Sequence, residues 1–391
     1  MQVVPLVTLH KQVGVFGFEH LVIGCKDTEQ KMKKVMVEPS HLSLATEMID
    51  QNEREDENNP FRGFSDLGMI YYYVHKPTHA DKDKNKKEDT VNEYLRDISQ
   101  FYSQLLYNEG FMRSDVKDFE EGSLLKNLKK RHIRQYQEWL KTVQQRGKEG
   151  YSLATRSRKV TVLKGFLKWL HEVGYIKEPV YSAFLSNSLR EKDRIRRDLS
   201  YEEVKQILNF YKDNPIIFAV LSVLATTGLR VQEIANAKWN DLYYDSDDKT
   251  YYLSVIGKND KPRDAIIFDN VFERIQNFRN RRRLNVELDP ADDSPLFTTK
   301  KGTAYDYKYL SVFVKKVIER TGLEFLKYKP SEVTPHHFRH FFAQYSAEQG
   351  ASLIYIQRTL GHASYRTTEI YLEKDLKKKN NVARQWDESK F

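Results

Sequence analysis

The chain changes its hydrophobic rhythm near residue 90. Before that point, "VGVFGFEHLVIG", "KKVMVEP" and "GMIYYYVHKP" are short β-branched and aromatic runs separated by Gly and Pro. That is the pattern of strands. "DQNEREDENNP" at 50–60 reads as a polar loop, and "THADKDKNKKED" at 78–89 as a solvated, charged linker. From about 90 the apolar positions recur at helical spacing. Ile133, Tyr136, Trp139, Leu140 and Val143 share one helix face, and Val160, Leu163, Phe166, Leu167 and Leu170 share another. Ser200 and Glu203 form a capping box that starts a further helix. "IIFAVLSVLA" at 216–225 is a buried helix ending at Gly228, too short to span a membrane. "TYYLSVIGKNDKPRDAIIF" at 250–268 predicts two strands around a polar turn, and helices follow at about 269–283, 306–320, 335–349 and 352–360.

The pattern predicts a mainly α chain with a small β-sheet. Four segments are expected: a strand-rich N-terminal domain over 1–87, a helical domain over 88–185, a charged linker over 186–199, and a mixed α/β domain over 200–391.

Charge adds a partner. The 391 residues carry a net charge of +9. Residues 1–86 hold 11 Lys and Arg against 13 Asp and Glu, and the remainder holds 53 against 42. A polyanion partner therefore belongs to the larger, basic part. On the second helix above, Arg156, Arg158, Lys159, Lys164 and Lys168 lie away from the apolar face. They read as a solvated face or as phosphate contacts, and their basic surroundings favour the second. Cys25 is the single cysteine, so no disulfide framework exists within one chain. With no basic segment ahead of an apolar core at the start, a cytoplasmic, membrane-free protein is expected.

Four islands hold unusual polar groups. "TTGLRVQEI" places Arg230 just beyond a buried helix, where it pairs with Glu233 or serves an anion. "GKNDKPR" puts Lys258 at a hairpin tip. "TPHHFRHFF" stacks His336, His337, Arg339 and His340 in a first helical turn. "LGHASYRTTEIY" supplies His362 and Tyr371. A metal reading of His336 and His340 fails for want of a neighbouring Glu or Cys and because Arg339 adds a cation. Transfer of a phosphodiester to a Tyr hydroxyl would use all four islands. It needs cations and donors on the phosphate oxygens and a proton for the departing sugar oxygen.

In this order and spacing, "TGLRVQE", "GKNDKPR", "HHFRH" and "GHASYRTTEIY", spread over 228–371, resemble the tyrosine recombinases, or phage integrases. The resemblance implies that Arg230 and Arg339 bind the scissile phosphate, and that His336 and His362 stabilise the transition state. It implies Lys258 as general acid, with Lys261 a weaker substitute, and Tyr371 as nucleophile forming a 3′-phosphotyrosine. Glu233 and His340 would support the site; His337 falls outside the motif. The resemblance also covers about 88–185 as a helical core-binding domain that closes on double-stranded DNA with the catalytic domain. It implies no cofactor and no metal, a tail that docks on a neighbouring protomer in a homo-tetramer holding two duplexes, and room for an accessory directionality factor.

The resemblance stops at residues 1–87, where arm-site DNA binding, protein contact and a structural role stay open. Integration or excision of a mobile element is the expected activity. The alternatives are topoisomerase IB-like strand cleavage and religation, Xer-like dimer resolution, and, least favoured, a catalytically silent DNA-binding regulator.

Overall fold

The computed structural model describes residues 36–81, 85–145, 147–185, 197–257 and 262–362. The chain divides into two compact units, Met1–Arg194 and Ile195–Phe391.

Within the first unit, α1 (Leu42–Glu55), α2 (Asp66–His75), α3 (Glu88–Tyr107), α4 (Glu109–Asp115), α5 (Lys130–Thr142) and α6 (Leu153–Glu172) are helices. The N-terminal strand reading is corrected here. "GMIYYYVHKP", expected as a strand, lies largely in α2, and "KKVMVEP" forms no strand in its described part. The first run, "VGVFGFEHLVIG", falls outside the described residues. Helix α2 starts at Ser65, whose side chain accepts from the Gly68 amide. Leu67, Met69, Ile70, Tyr71 and Val74 are all buried. A segment buried on every side shows no amphipathic period, so its apolar run alone does not separate strand from helix.

Asp66 opens α2 and fixes its position. Its carboxylate accepts from Ser123 Oγ at 2.5 Å, Leu124 N at 2.7 Å, Leu125 N at 3.1 Å and the Tyr175 hydroxyl at 2.8 Å. Residues 36–81 also share one hydrophobic cluster with the later helices: Met36, Ala45 and Ile70 belong with Leu95, Ile133, Leu163 and Phe166. The boundary expected at residue 87 therefore does not separate two cores.

The second unit contains α7 (Tyr201–Phe210), α8 (Pro215–Thr227), α9 (Val231–Asn236), α10 (Asp269–Arg282), α11 (Tyr307–Arg320), α12 (Pro335–Glu348) and α13 (Leu353–Leu360). The capping box expected at the start of α7 is present: Ser200 Oγ accepts from Glu203 N, and Glu203 accepts from Ser200 N at 2.8 Å. Helix α8 begins at Pro215 with Asn214 as its cap, and ends at Gly228 with φ +61°. It packs on α10 and α12.

Strands β3 (Leu242–Asp245), β4 (Thr250–Ile256) and β5 (Pro262–Ile267) form an antiparallel sheet in that order; β1 and β2 are a two-residue ribbon at Gln144–Gln145 and Lys148–Glu149. The β4–β5 hairpin matches the expected pair. Strand β3 adds a third, with Tyr243 opposite Tyr252 and Tyr244 opposite Tyr251. The mainly helical class with a small sheet is thus what the chain adopts.

Candidate active site

The site begins where α8 stops. Gly228 turns the chain in a left-handed conformation. A Cβ there would stand 2.7–2.8 Å from Phe342 and Leu360 side-chain atoms, so the position needs glycine twice over. Two residues on, Arg230 is the N-cap of α9, and Glu233 in the first turn closes back on it. The Arg230 backbone N–H donates to Glu233 Oε2 at 2.7 Å, and its Nη1 to Oε1 at 2.9 Å. Glu233 is buried, while Arg230 keeps 32% of its side chain exposed.

Helix α12 supplies the second island. Arg339 is 1% exposed, and its guanidinium reaches across the turn: Nη1 donates to the Gly228 carbonyl at 2.8 Å and Nη2 to the Leu360 carbonyl at 2.6 Å. It therefore joins the ends of α8 and α13. His336 lies on the exposed side of α12, with its ring centroid 5.0 Å from that of His340, edge to face. His337 is part of the helix start instead, its Nδ1 accepting from the Thr334 N–H at 3.1 Å. That structural task agrees with its place outside the motif.

His362 follows Gly361, a left-handed glycine that ends α13. Its backbone N–H donates to the Gln357 carbonyl at 3.0 Å, and Gln357 Nε2 returns a bond to the His362 carbonyl. The imidazole is buried.

Cations dominate the electrostatics. Burial, then the charges of Arg197, Arg339 and Arg230, pushes His336 down to about 4, although the residue keeps an open side. Burial, then His336 and Arg197, pushes His340 to about 3; burial, then Arg339 and Arg230, does the same to His362. These imidazoles are neutral at pH 7. Burial alone would raise the Glu233 carboxyl, but hydrogen bonds from Arg263 and from the Arg230 amide, with both guanidinium charges, hold it below its usual range. The arrangement is a positive, partly desolvated floor suited to an oxyanion.

The structure thus gathers Arg230, Glu233, His336, Arg339, His340 and His362 from three separated segments. Lys258, Lys261 and Tyr371 lie outside the described residues. Two contributors escaped the sequence reading. Arg263, the last letter of "GKNDKPR", binds Glu233 with both terminal nitrogens at 2.9 and 2.7 Å. Arg197, at the end of the charged linker, bears on three histidines. The position of Arg263 inside a quoted island hinted at its part; for Arg197 the signal was its place in the charged linker over 186–199.

The basic set on α6 divides in two. Lys159 was expected among phosphate contacts, but it is 3% exposed. Its ammonium donates to Asp97 Oδ1 at 2.9 Å and to Gln100 Oε1 at 2.6 Å. A buried Asp97 needs that charge, so Lys159 is turned into the core. Arg158 Nη1 pairs with Asp97 Oδ2 at 2.7 Å. Arg156 is half-buried, whereas Lys164 and Lys168 face solvent.

Residues 197–378 match the profile of the phage integrase family. The tyrosine recombinase XerC of Natranaerobius thermophilus is 28% identical over 295 residues, which cover 74% of this chain and 89% of that protein. The tyrosine recombinase XerA of Pyrococcus horikoshii is 28% identical over 73% of this chain and 91% of its own length. Among solved structures, the XerH site-specific recombinase bound to a palindromic difH substrate superposes with a TM-score of 0.58 at 20% identity, covering 82% of this chain and 94% of that one. A lambda integrase dimer bound to a COC′ core site gives 0.57 at 15% identity, covering 87% and 83%. These likenesses carry the fold. Residues 197–378, which build the cationic floor, match the phage integrase family, and the chain as a whole is similar to the tyrosine recombinases.

Proposed function

We propose that this chain is a site-specific recombinase that cuts and rejoins DNA through a covalent 3′-phosphotyrosine at Tyr371, integrating or excising a mobile element. One observation supports this above all: Arg230, Arg339, His336 and His362 converge from distant segments on a single cationic floor whose histidines are neutral.

In the proposed step the Tyr371 oxygen bonds to phosphorus and the bond from phosphorus to the 5′ oxygen breaks. The phenol proton passes to water or to a neutral site imidazole. Lys258 gives a proton to the departing 5′ oxygen. Arg230 and Arg339 balance charge on the non-bridging oxygens, and His336 and His362 donate to them. The phosphotyrosine conserves the energy of the phosphodiester, so rejoining reverses the same step with no metal or nucleotide. A tetramer on two duplexes, an accessory factor that sets direction, and DNA contacts from Arg156, Arg158, Lys164 and Lys168 belong to this proposal. So does the general acid at Lys258, with Lys261 as substitute.

A second reading, Xer-like dimer resolution, is favoured by the names of the relatives, several of which are called XerC. Recombination assays on plasmids carrying two sites in direct or inverted repeat separate the two. Strand transfer itself is tested with suicide substrates nicked near the cleavage point. The chain should form a covalent protein–DNA adduct, and Tyr371→Phe should abolish it.

A further inference from the structure

A second cationic place lies at the other end of α8. The floor follows the last turn of that helix, whereas Pro215 opens its first turn, about 20 Å away along the axis. Beside Pro215 is a recess of about 530 Å³. Lys212, ahead of α8, and Arg274, Arg281 and Arg283, on α10 and its end, line it together with Asn277 and Asn280. Among the described residues, no Asp or Glu lines it.

Arg274 distinguishes this recess from an ordinary solvated face. It is half-buried. Its Nη1 donates to the buried Ser222 Oγ at 2.9 Å, and its guanidinium carbon stands 4.2 Å from the centroid of the Phe218 ring. Burial draws its pKa down, and the charge of the adjoining Glu273 works the other way. An arginine stays charged under that pressure. It is a fixed, partly desolvated cation, and among the described residues it has no ion pair. A charge held so is costly until an anion meets it. Lys212, Arg281 and Arg283 are exposed and also without ion pairs among the described residues.

Arg283 adds an independent sign. It caps α10 at φ +60° and ψ +40°, the left-handed conformation in which glycine is the usual residue. The chain accepts backbone strain there and gains a cation at the recess. Attraction to the negative end of α10 accounts for Arg281 and Arg283. It does not account for Arg274, in the second turn of α10, or for Lys212, ahead of the positive end of α8.

We propose that this recess binds adjoining phosphate groups, as an anion site separate from the floor. Guanidiniums pair bidentately with phosphate oxygens, the asparagine amides add neutral donors, and the start of α8 adds its positive end. The volume suits a small polyphosphate. Successive phosphates of a DNA backbone present the same chemistry. The assignment does not depend on the recombinase reading.

The test titrates the full-length chain with sodium tripolyphosphate in metal-free buffer, and separately with duplex DNA over a range of salt. Wild type is compared with Arg281→Gln, Arg283→Gly and, as the control for the floor, Arg230→Ala. Wild type should bind tripolyphosphate. Arg281→Gln and Arg283→Gly should each weaken that binding by about 10-fold, the scale of one lost charged hydrogen bond, and Arg230→Ala should retain it. Arg283→Gly should also raise the melting temperature, because glycine relieves the left-handed strain, so its lost binding is not lost folding. The DNA titrations separate the two sources. A backbone in the recess predicts that duplex displaces tripolyphosphate and that each recess variant lowers the salt slope by about 0.9. A free polyphosphate predicts an unchanged slope and simultaneous binding of both. Tripolyphosphate binding that the recess variants keep, binding that only Arg230→Ala removes, or no binding by wild type would overturn the proposal.

Discussion

At the scale of single residues, the site depends on how one buried carboxylate is satisfied. Glu233 accepts from Arg230 and Arg263, so removing it strands two guanidiniums in a poorly solvated place. Glu233→Ala should destabilise the second unit by about 3 kcal/mol, the scale of breaking a buried ion pair from one side; urea unfolding followed in that unit measures it. The neutral histidines give a pH dependence of defined sign. In the unfolded chain a histidine titrates near 6.5, and His340 and His362 do so at about 3 when folded. The unfolded state therefore binds their protons first. Stability is full above pH 6.5 and is lost as pH falls toward their folded values. His340→Gln should flatten the slope of stability against pH by about 1.4 kcal/mol per unit between pH 6 and 4. An unchanged slope would mean that His340 is not held neutral. The motif residues that carry charge at this scale were legible in the letters. Arg263 and Lys159 were not, because which way a cation turns depends on where a buried carboxylate lies, Glu233 for one and Asp97 for the other.

At the scale of elements, the tight turn between α8 and α9 sets the floor. Gly228→Ala must accommodate both a left-handed backbone and a clash with Phe342 and Leu360. Gly302, with φ +79° and open space around it, meets only the first cost. Gly302→Ala should therefore cost about 1 kcal/mol, and Gly228→Ala at least about 1 kcal/mol more, because overpacking adds to backbone strain; paired denaturation curves check the difference. Helix α6 gives a second contrast. Lys159→Ala should destabilise the first unit with little effect on the salt dependence of DNA binding. Lys164→Ala and Lys168→Ala should leave stability alone and each lower the salt slope by about 0.9 if they meet phosphates. Elements with a clean amphipathic stripe or a cap, such as α6 and α7, were legible. Helix α2 was not: it is buried all round, and what makes it a helix is Ser65 at its start and the docking of Asp66 on residues 123–125, contacts that no local window contains.

At the scale of the whole molecule, the charge asymmetry read from the letters and the two units seen in the structure serve one proposed task, holding a DNA strand over the floor at Arg230. The two-unit division falls in the charged linker expected over 186–199 and not at the shift in charge near residue 86, and the first unit takes in the N-terminal residues 36–81 with the helices after them. The sequence missed this because sharing a core is a property of long-range packing. The central claim remains covalent chemistry at a tyrosine brought to that floor. It is tested most directly by incubating the full-length chain with a nicked suicide substrate and resolving denatured protein–DNA adducts. Wild type should give an adduct whose peptide map places the DNA on Tyr371, and Tyr371→Phe should give none. An adduct that persists in Tyr371→Phe, or one attached to another residue, would contradict the account.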